Sequence, residues 1–172
     1  MRHLHTSVHP DIGHLDDYSI FQRNATRAIV LIGNEILLLF TERYHDYTLP
    51  GGGLDTGEDV IHGLVRELEE ETGAQNIKNI VPFGIYEEFR PWHKPEADLV
   101  HMISYCYVCS ADKVLGNTRF EEHEVNNGMR PVWINIHDAI AHNEQTISSS
   151  VKKGMSIERE TFLLRMIVKE LL

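Results

Sequence analysis

Residues Gly52–Ala74 read GGLDTGEDVIHGLVRELEEETGA, and the rest of the chain is organised around this stretch. From Asp59 to Thr72 the apolar side chains fall at Ile61, Leu64, Val65 and Leu68, the i, i+3, i+4, i+7 spacing of an amphipathic helix. Thr56 or Asp59 can cap its start, and Gly73 suits a left-handed C-cap. At about 100° per residue, Glu67, Glu70 and Glu71 share an arc of roughly 100° beside the apolar stripe. Glu69 points to solvent. Carboxylates three and four apart on a helix repel by about 0.2–0.5 kcal/mol per pair, and Arg66 offsets only part of this. Such a cluster beside a buried face suits a divalent cation, and hard oxygen donors suit Mg²⁺ or Mn²⁺. A solvated acidic face is the ordinary alternative for a charge run.

A longer pattern decides between the two. Gly52, Glu58, Arg66, Glu67, Leu68, Glu70, Glu71, Gly73 and Ala74 fill every specified position of G-x5-E-x7-R-E-U-x-E-E-x-G-U, with U apolar. Seven of those positions each demand one residue type, met at random roughly 5–7% of the time. The stretch resembles the Nudix box. It covers only a small part of the chain, and the layout around it is similar to the family as well.

The chain has 172 residues, one domain's length, with ordinary hydrophobic (42%) and charged (24%) content. A net charge of −10 argues against a nucleic-acid backbone or an anionic membrane as principal partner. It leaves room for a phosphorylated small molecule, because bound cations reverse the local field. No apolar run is long enough to span a bilayer and no signal-peptide pattern follows Met1, so a cytoplasmic location is expected. Cys106 and Cys109 have metal or redox spacing but no second pair. Three apart on a strand they face opposite sides, as buried structural thiols would.

Residues 1–24, with His3, His5, His9 and His14, read as an N-terminal extension, in which Asp16–Phe21 forms an edge strand or covers the sheet. One domain is expected over 25–172. Ala28–Ile32 and Ile36–Phe40 flank Gly33-Asn34 as a tight hairpin. Leu49-Pro50-Gly51-Gly52-Gly53 allows positive φ and close backbone approach. Ile77–Phe89 is extended and bent near Pro82 and Gly84, and Leu99–Cys109 is a long strand. Ala111–Met129 reads as a polar acidic loop, Pro131–Ile136 as a strand, Asp138–His142 as a short helix and Gln145–Ser156 as a loop. Ile157–Leu172 is a terminal helix capped by Ser156, burying Phe162, Leu163, Met166 and Ile167. Strands interleaved with two substantial helices predict a mixed sheet between helical layers. The resemblance implies the same α/β/α sandwich, with the box as loop–helix–loop.

The resemblance further implies a MutT-like hydrolase that cleaves a diphosphate linked to a nucleoside or other group by attack of water on phosphorus. Carried over residue by residue, Glu67, Glu70, Glu71 and the carbonyl of Gly51 would hold Mg²⁺ or Mn²⁺. Arg66 would hold the carboxylates in place, with Glu58 in a similar supporting role. The general base is a box glutamate or an acid of a later loop, from Glu121, Glu122 and Glu124, with Glu124 favoured. Arg43, Tyr47 and Trp92 are the candidates for contact with substrate. A small-molecule nucleotide derivative is the expected partner, with neither nucleic acid nor membrane, and the chain is compatible with a homodimer. The alternative is a Nudix-fold module that binds a nucleotide as a sensor without turnover.

Overall fold

The apolar runs become the strands of a seven-stranded mixed sheet in a computed structural model that describes every residue from Met1 to Leu172. In chain order the strands are β1 (His3–Val8), β2 (Ile20–Ile32), β3 (Glu35–Thr41), β4 (Asp46–Thr48), β5 (Lys78–Pro91), β6 (Leu99–Ser110) and β7 (Met129–Asn135). The helices are α1 (Val60–Thr72), α2 (Glu122–Asn126), α3 (Ile136–Ser149) and α4 (Ile157–Leu171). The sheet order is β1-β5-β6-β2-β3-β4, with β7 pairing β3. β1 is parallel to β5 and β2 to β6; the other pairs are antiparallel.

Alternation on the strands sends side chains to two cores. Ile29, Ile36, Leu38 and Cys106 pack with Ile136 and Ala139 of α3 and Leu163, Leu164 and Ile167 of α4. Ala28, Val30, Leu37, Tyr107 and Cys109 pack with Leu64 and Leu68 of α1 on the other face. The sandwich expected from the sequence is the one observed. Burial pushes the Cys106 thiol up to about 12 and that of Cys109 to about 11, so both are inert.

α1 begins where Asp59 accepts the amides of Ile61 (3.0 Å) and His62 (3.1 Å), and ends at Gly73 with φ +68°. Its stripe is narrower than the spacing predicts, because Ile61 is exposed. β5 shifts register between Lys78 and Val81 and again between Pro82 and Gly84, where the bend was expected.

Other expectations are corrected. The short helix at Asp138–His142 is in fact α3, which runs on to Ser149 and absorbs the first part of the expected loop. Its polar residues do packing work. Asn143 bonds both the N–H and the C=O of Tyr47, each at 2.8 Å, and Thr146 donates to the carbonyl of His45. In α4 the buried stripe is Ile157, Glu160, Leu163, Leu164 and Ile167, with Phe162 and Met166 only partly covered. Ser156 sits at the N-cap position without a side-chain bond. In the N-terminal stretch it is His3–Val8 that forms an edge strand, along β5.

Candidate active site

The site opens where the sheet splits. β2 and β3 pair only at Leu31–Ile36 and Ile32–Glu35 and then diverge. The Pro50–Leu54 segment fills the gap against β2. Pro50 O accepts from Ala28 N at 2.8 Å, Gly52 O from Thr26 N at 2.9 Å, and Leu54 N donates to Asn24 O at 2.9 Å. Gly51 has φ +138°, and a Cβ there would lie 2.0 Å from Thr26 O. Only glycine fits this approach. The carbonyl of Gly51 accepts from Arg27 Nη1, and its N–H donates to Glu71 Oε2 at 2.6 Å. A Cβ on Gly52 would stand 2.6 Å from the carboxyl carbon of Glu67, so the missing side chain leaves room for that carboxylate.

Arg66 gathers the box acids. Its Nε and Nη2 donate to the two oxygens of Glu58 at 2.8 and 2.9 Å, and its Nη1 reaches Glu67 at 2.9 Å and Glu70 at 3.3 Å. The Arg66 fork holds the Glu58 carboxyl down at about 2. Burial raises the Glu67 carboxyl, and raises that of Glu71 well above the ordinary range. Glu69 is exposed, as expected.

Glu67, Glu71, Glu124 and the Gly51–Gly53 turn line a cleft of about 370 Å³. Glu70 lies outside its lining, between Arg66 and Arg119, 3.9 Å from the latter. Glu124 is buried and accepts the N–H of Glu121 at 2.7 Å in a capping box on α2, a helix within the segment expected to be a loop. Glu121 lines the cleft rim; Glu122 does not. Arg43, Tyr47 and Trp92 are not brought into it. Arg43 is exposed and bonds Asn127, which lines the cleft. Tyr47 packs against Phe40 and His142. Trp92 lines a separate groove that shares Arg23 and Asp55 with the first.

The sequence reading missed the other wall. Arg23, Arg27, Asp46, Arg159 and Glu160 also line the cleft. Arg159 donates to Glu160 at 2.9 and 2.7 Å and to Glu88 at 2.5 Å, all three buried. Glu160 Oε2 accepts the N–H of Leu49 at 2.9 Å, tying α4 to the turn that precedes the box. Asp46 is buried with Oδ1 unpaired; burial and the neighbouring Glu160 push its carboxyl up to about 7. One signal was available: Glu160 falls on the apolar stripe of its helix, three residues after Ile157 and four before Leu164.

The donor set is all oxygen, as Mg²⁺ or Mn²⁺ requires. Glu71 uses one oxygen on Gly51 and has a second to offer. Its burial disfavours a bare charge, a cost that a bound cation would reverse. Arg66 draws Glu67 and Glu70 toward itself, and no three carboxylate, imidazole or thiol side chains stand at ligand spacing anywhere in the chain. Glu67, Glu71 and the Gly51 turn nevertheless fit such an ion in chemistry and in the room left at Gly52.

A glycine turn, a capped helix and an arginine-bound set of glutamates thus form an acidic loop–helix–loop packed on a mixed sheet between helical layers. The family model of the NUDIX domain matches residues 22–153, and the chain belongs to the Nudix hydrolase family. Diphosphoinositol polyphosphate phosphohydrolase 2 of Homo sapiens is 31% identical over 108 residues, covering 62% of this chain and 53% of that protein. Diphosphoinositol polyphosphate phosphohydrolase 3-alpha of Homo sapiens is 29% identical over 109 residues. The chain thus spans about half the length of the curated relatives it matches. Among solved structures, a NUDIX hydrolase from Nitrosomonas europaea aligns with a TM-score of 0.60 at 16% identity, over 87% of this chain and 91% of that one. A nudix hydrolase family member from Chromobacterium violaceum aligns at 0.53 and 19% identity, over 87% and 78%. These two likenesses establish the fold. No helix is long and apolar enough to cross a membrane.

Proposed function

We propose that this chain is a Mg²⁺-dependent hydrolase that cleaves the diphosphate linkage of a nucleoside diphosphate joined to another moiety. The observation that carries this most is the buried Glu71 carboxylate, held on the Gly51 amide at the floor of a polar cleft beside Glu67. Glu67, Glu70, Glu71 and the Gly51 carbonyl are the proposed cation ligands, with Mn²⁺ as an alternative ion. Bound there, the cation would neutralise charge developing on the phosphoryl oxygens. Arg66 positions the acids through its fork on Glu58.

Glu124 is the proposed base. Its carboxylate, oriented by the Glu121 N–H, takes a proton from water as the new O–P bond forms and the bridging P–O bond breaks. Arg43, beside Asn127 of the cleft lining, and Trp92, in the adjoining groove that shares Arg23 and Asp55, are proposed contacts for the group beyond the phosphates; Tyr47, packed against Phe40 and His142, is at most support for the cleft wall. A cytoplasmic enzyme with a small-molecule partner is the corresponding physiological reading.

One observation widens the choice of substrate. Four arginines, seven carboxylates and, of the Phe, Tyr and Trp residues, Tyr44 alone line the cleft, which offers little face for a stacked base and, with cations on its carboxylates, suits a phosphate-rich ligand. The names of the relatives add diphosphoinositol polyphosphates to the panel. The test is a screen of nucleoside triphosphates, nucleotide sugars, dinucleotides and diphosphoinositol polyphosphates with Mg²⁺ or Mn²⁺, reading released phosphate or pyrophosphate. Metal-dependent release from one class supports the enzyme. Binding without cleavage of any compound favours the sensor.

A further inference from the structure

Arg27 holds the carbonyl oxygen that the proposed cation would use. Its Nη1 donates to Gly51 O and, at 3.2 Å, to Thr26 O, while its Nε is buried and has no partner. That same Nε stands 3.9 Å from Glu160 Oε1, and the Arg27 side chain is only 11% exposed. A shift of about 1 Å would bring this pair to hydrogen-bond distance. Glu160 is anchored where it is by the Leu49 N–H and by Arg159.

We propose that Arg27 and the divalent cation compete for the Gly51 carbonyl, and that Arg27 yields it by moving onto Glu160. The inference rests on Gly51 being a cation ligand, as proposed above. Two like charges sharing one oxygen repel in a cleft of reduced dielectric, so the guanidinium and the ion each weaken the other's hold on it. The alternative position offsets the loss, because an unpaired buried N–H gains a charged acceptor. Each position thus offers Arg27 an acceptor, which a two-state side chain needs. Arg27 also lends its charge to Glu67 and Glu71, which the cation would take over. Because Glu160 bonds Leu49 just ahead of the glycine turn, the exchange links cation affinity to the seating of α4.

Calorimetric titration of the full chain with Mn²⁺ tests this without measuring hydrolysis. R27M should bind Mn²⁺ about tenfold more tightly than wild type. R23M removes an equal charge from the same cleft, but Arg23 lies over Gly53 and not on the Gly51 carbonyl, so its affinity should change by less than about threefold. E160Q should weaken Mn²⁺ binding, since Arg27 then loses the charged acceptor it moves to. R27M binding no more tightly than R23M overturns the proposal. Should R27M fail to fold, the wild-type arginine Nε–H spectrum decides: Mg²⁺ must shift one buried resonance that is missing from R27K, and an unmoved resonance overturns the competition. Absence of Mn²⁺ binding by every variant sinks the cation assignment as well. Failure to hydrolyse any compound, with Mn²⁺ affinities ordered as stated, leaves this inference standing and removes only the enzyme.

Discussion

The backbone N–H of Gly51 donates to Oε2 of Glu71 at 2.6 Å, joining the glycine turn to the last turn of α1. Glu71→Gln keeps an oxygen acceptor for that N–H and removes the charge. Turnover should fall by about 10²-fold or more. The sign of the pH effect follows from burial, which raises the folded-state carboxyl above its ordinary 4.5. Its stabilisation is full below 4.5 and is lost as pH rises through the folded value. Chelator-treated wild type should therefore gain melting temperature, relative to Glu71→Gln, as pH falls from neutrality to about 4.5. Glu71→Gln should flatten the slope, as a comparison of melting curves across pH would reveal.

Arg66 meets both oxygens of Glu58, at 2.8 and 2.9 Å, in a fork that lysine cannot reproduce. Arg66→Lys should lower Mn²⁺ affinity or turnover by about 10- to 100-fold while leaving the far-ultraviolet spectrum unchanged. Glu58 has the opposite linkage to Glu71. Held at about 2, its carboxylate contributes stability above the ordinary 4.5 that is lost as pH falls through about 2. The advantage of wild type over Glu58→Gln should shrink across that window in acid melts; a constant gap would refute the pairing energy.

The two glycines of the turn should fail differently. Gly51→Ala puts a Cβ 2.0 Å from a backbone oxygen at φ +138°, and should cost at least about 2 kcal/mol of stability by urea unfolding. Gly52→Ala meets only the end of the Glu67 side chain, at 2.6 Å. It should keep most of its stability and lose Mn²⁺ affinity. Equal effects on both readouts would contradict separate roles.

Glu124→Gln retains an acceptor for the Glu121 N–H and removes the proposed base. A loss of about 10²-fold in turnover is expected, with the fold and Mn²⁺ affinity retained. A wild-type rate would return the role to a box glutamate, Glu121 or Glu122.

Much of this was legible in local residues. Helix α1, its Gly73 cap and the solvent-facing Glu69 follow from spacing along one element, where 3.6-residue periodicity acts over short range, while the choice of Asp59 over Thr56 as N-cap came from the structure. The hairpin at Gly33-Asn34 and the opposed faces of Cys106 and Cys109 are equally local. α3 was read too short because Asn143 and Thr146 earn their burial through bonds to Tyr47 and His45 about a hundred residues earlier. α2 was missed because its capping box uses Glu121 and Glu124, residues that look like loop acids.

By itself the sequence determined the glycine turn, the helix, its carboxylate face and the family to which they belong, since all lie within one continuous stretch. Only the tertiary structure decided what faces that stretch. The divergence of β2 from β3 seats Arg27 on Gly51, the burial of α4 brings Glu160 and Arg159 beneath the turn, and Tyr47 is turned into the core. Those relationships join residues far apart in the chain, and no periodicity encodes which distant charges burial will bring together.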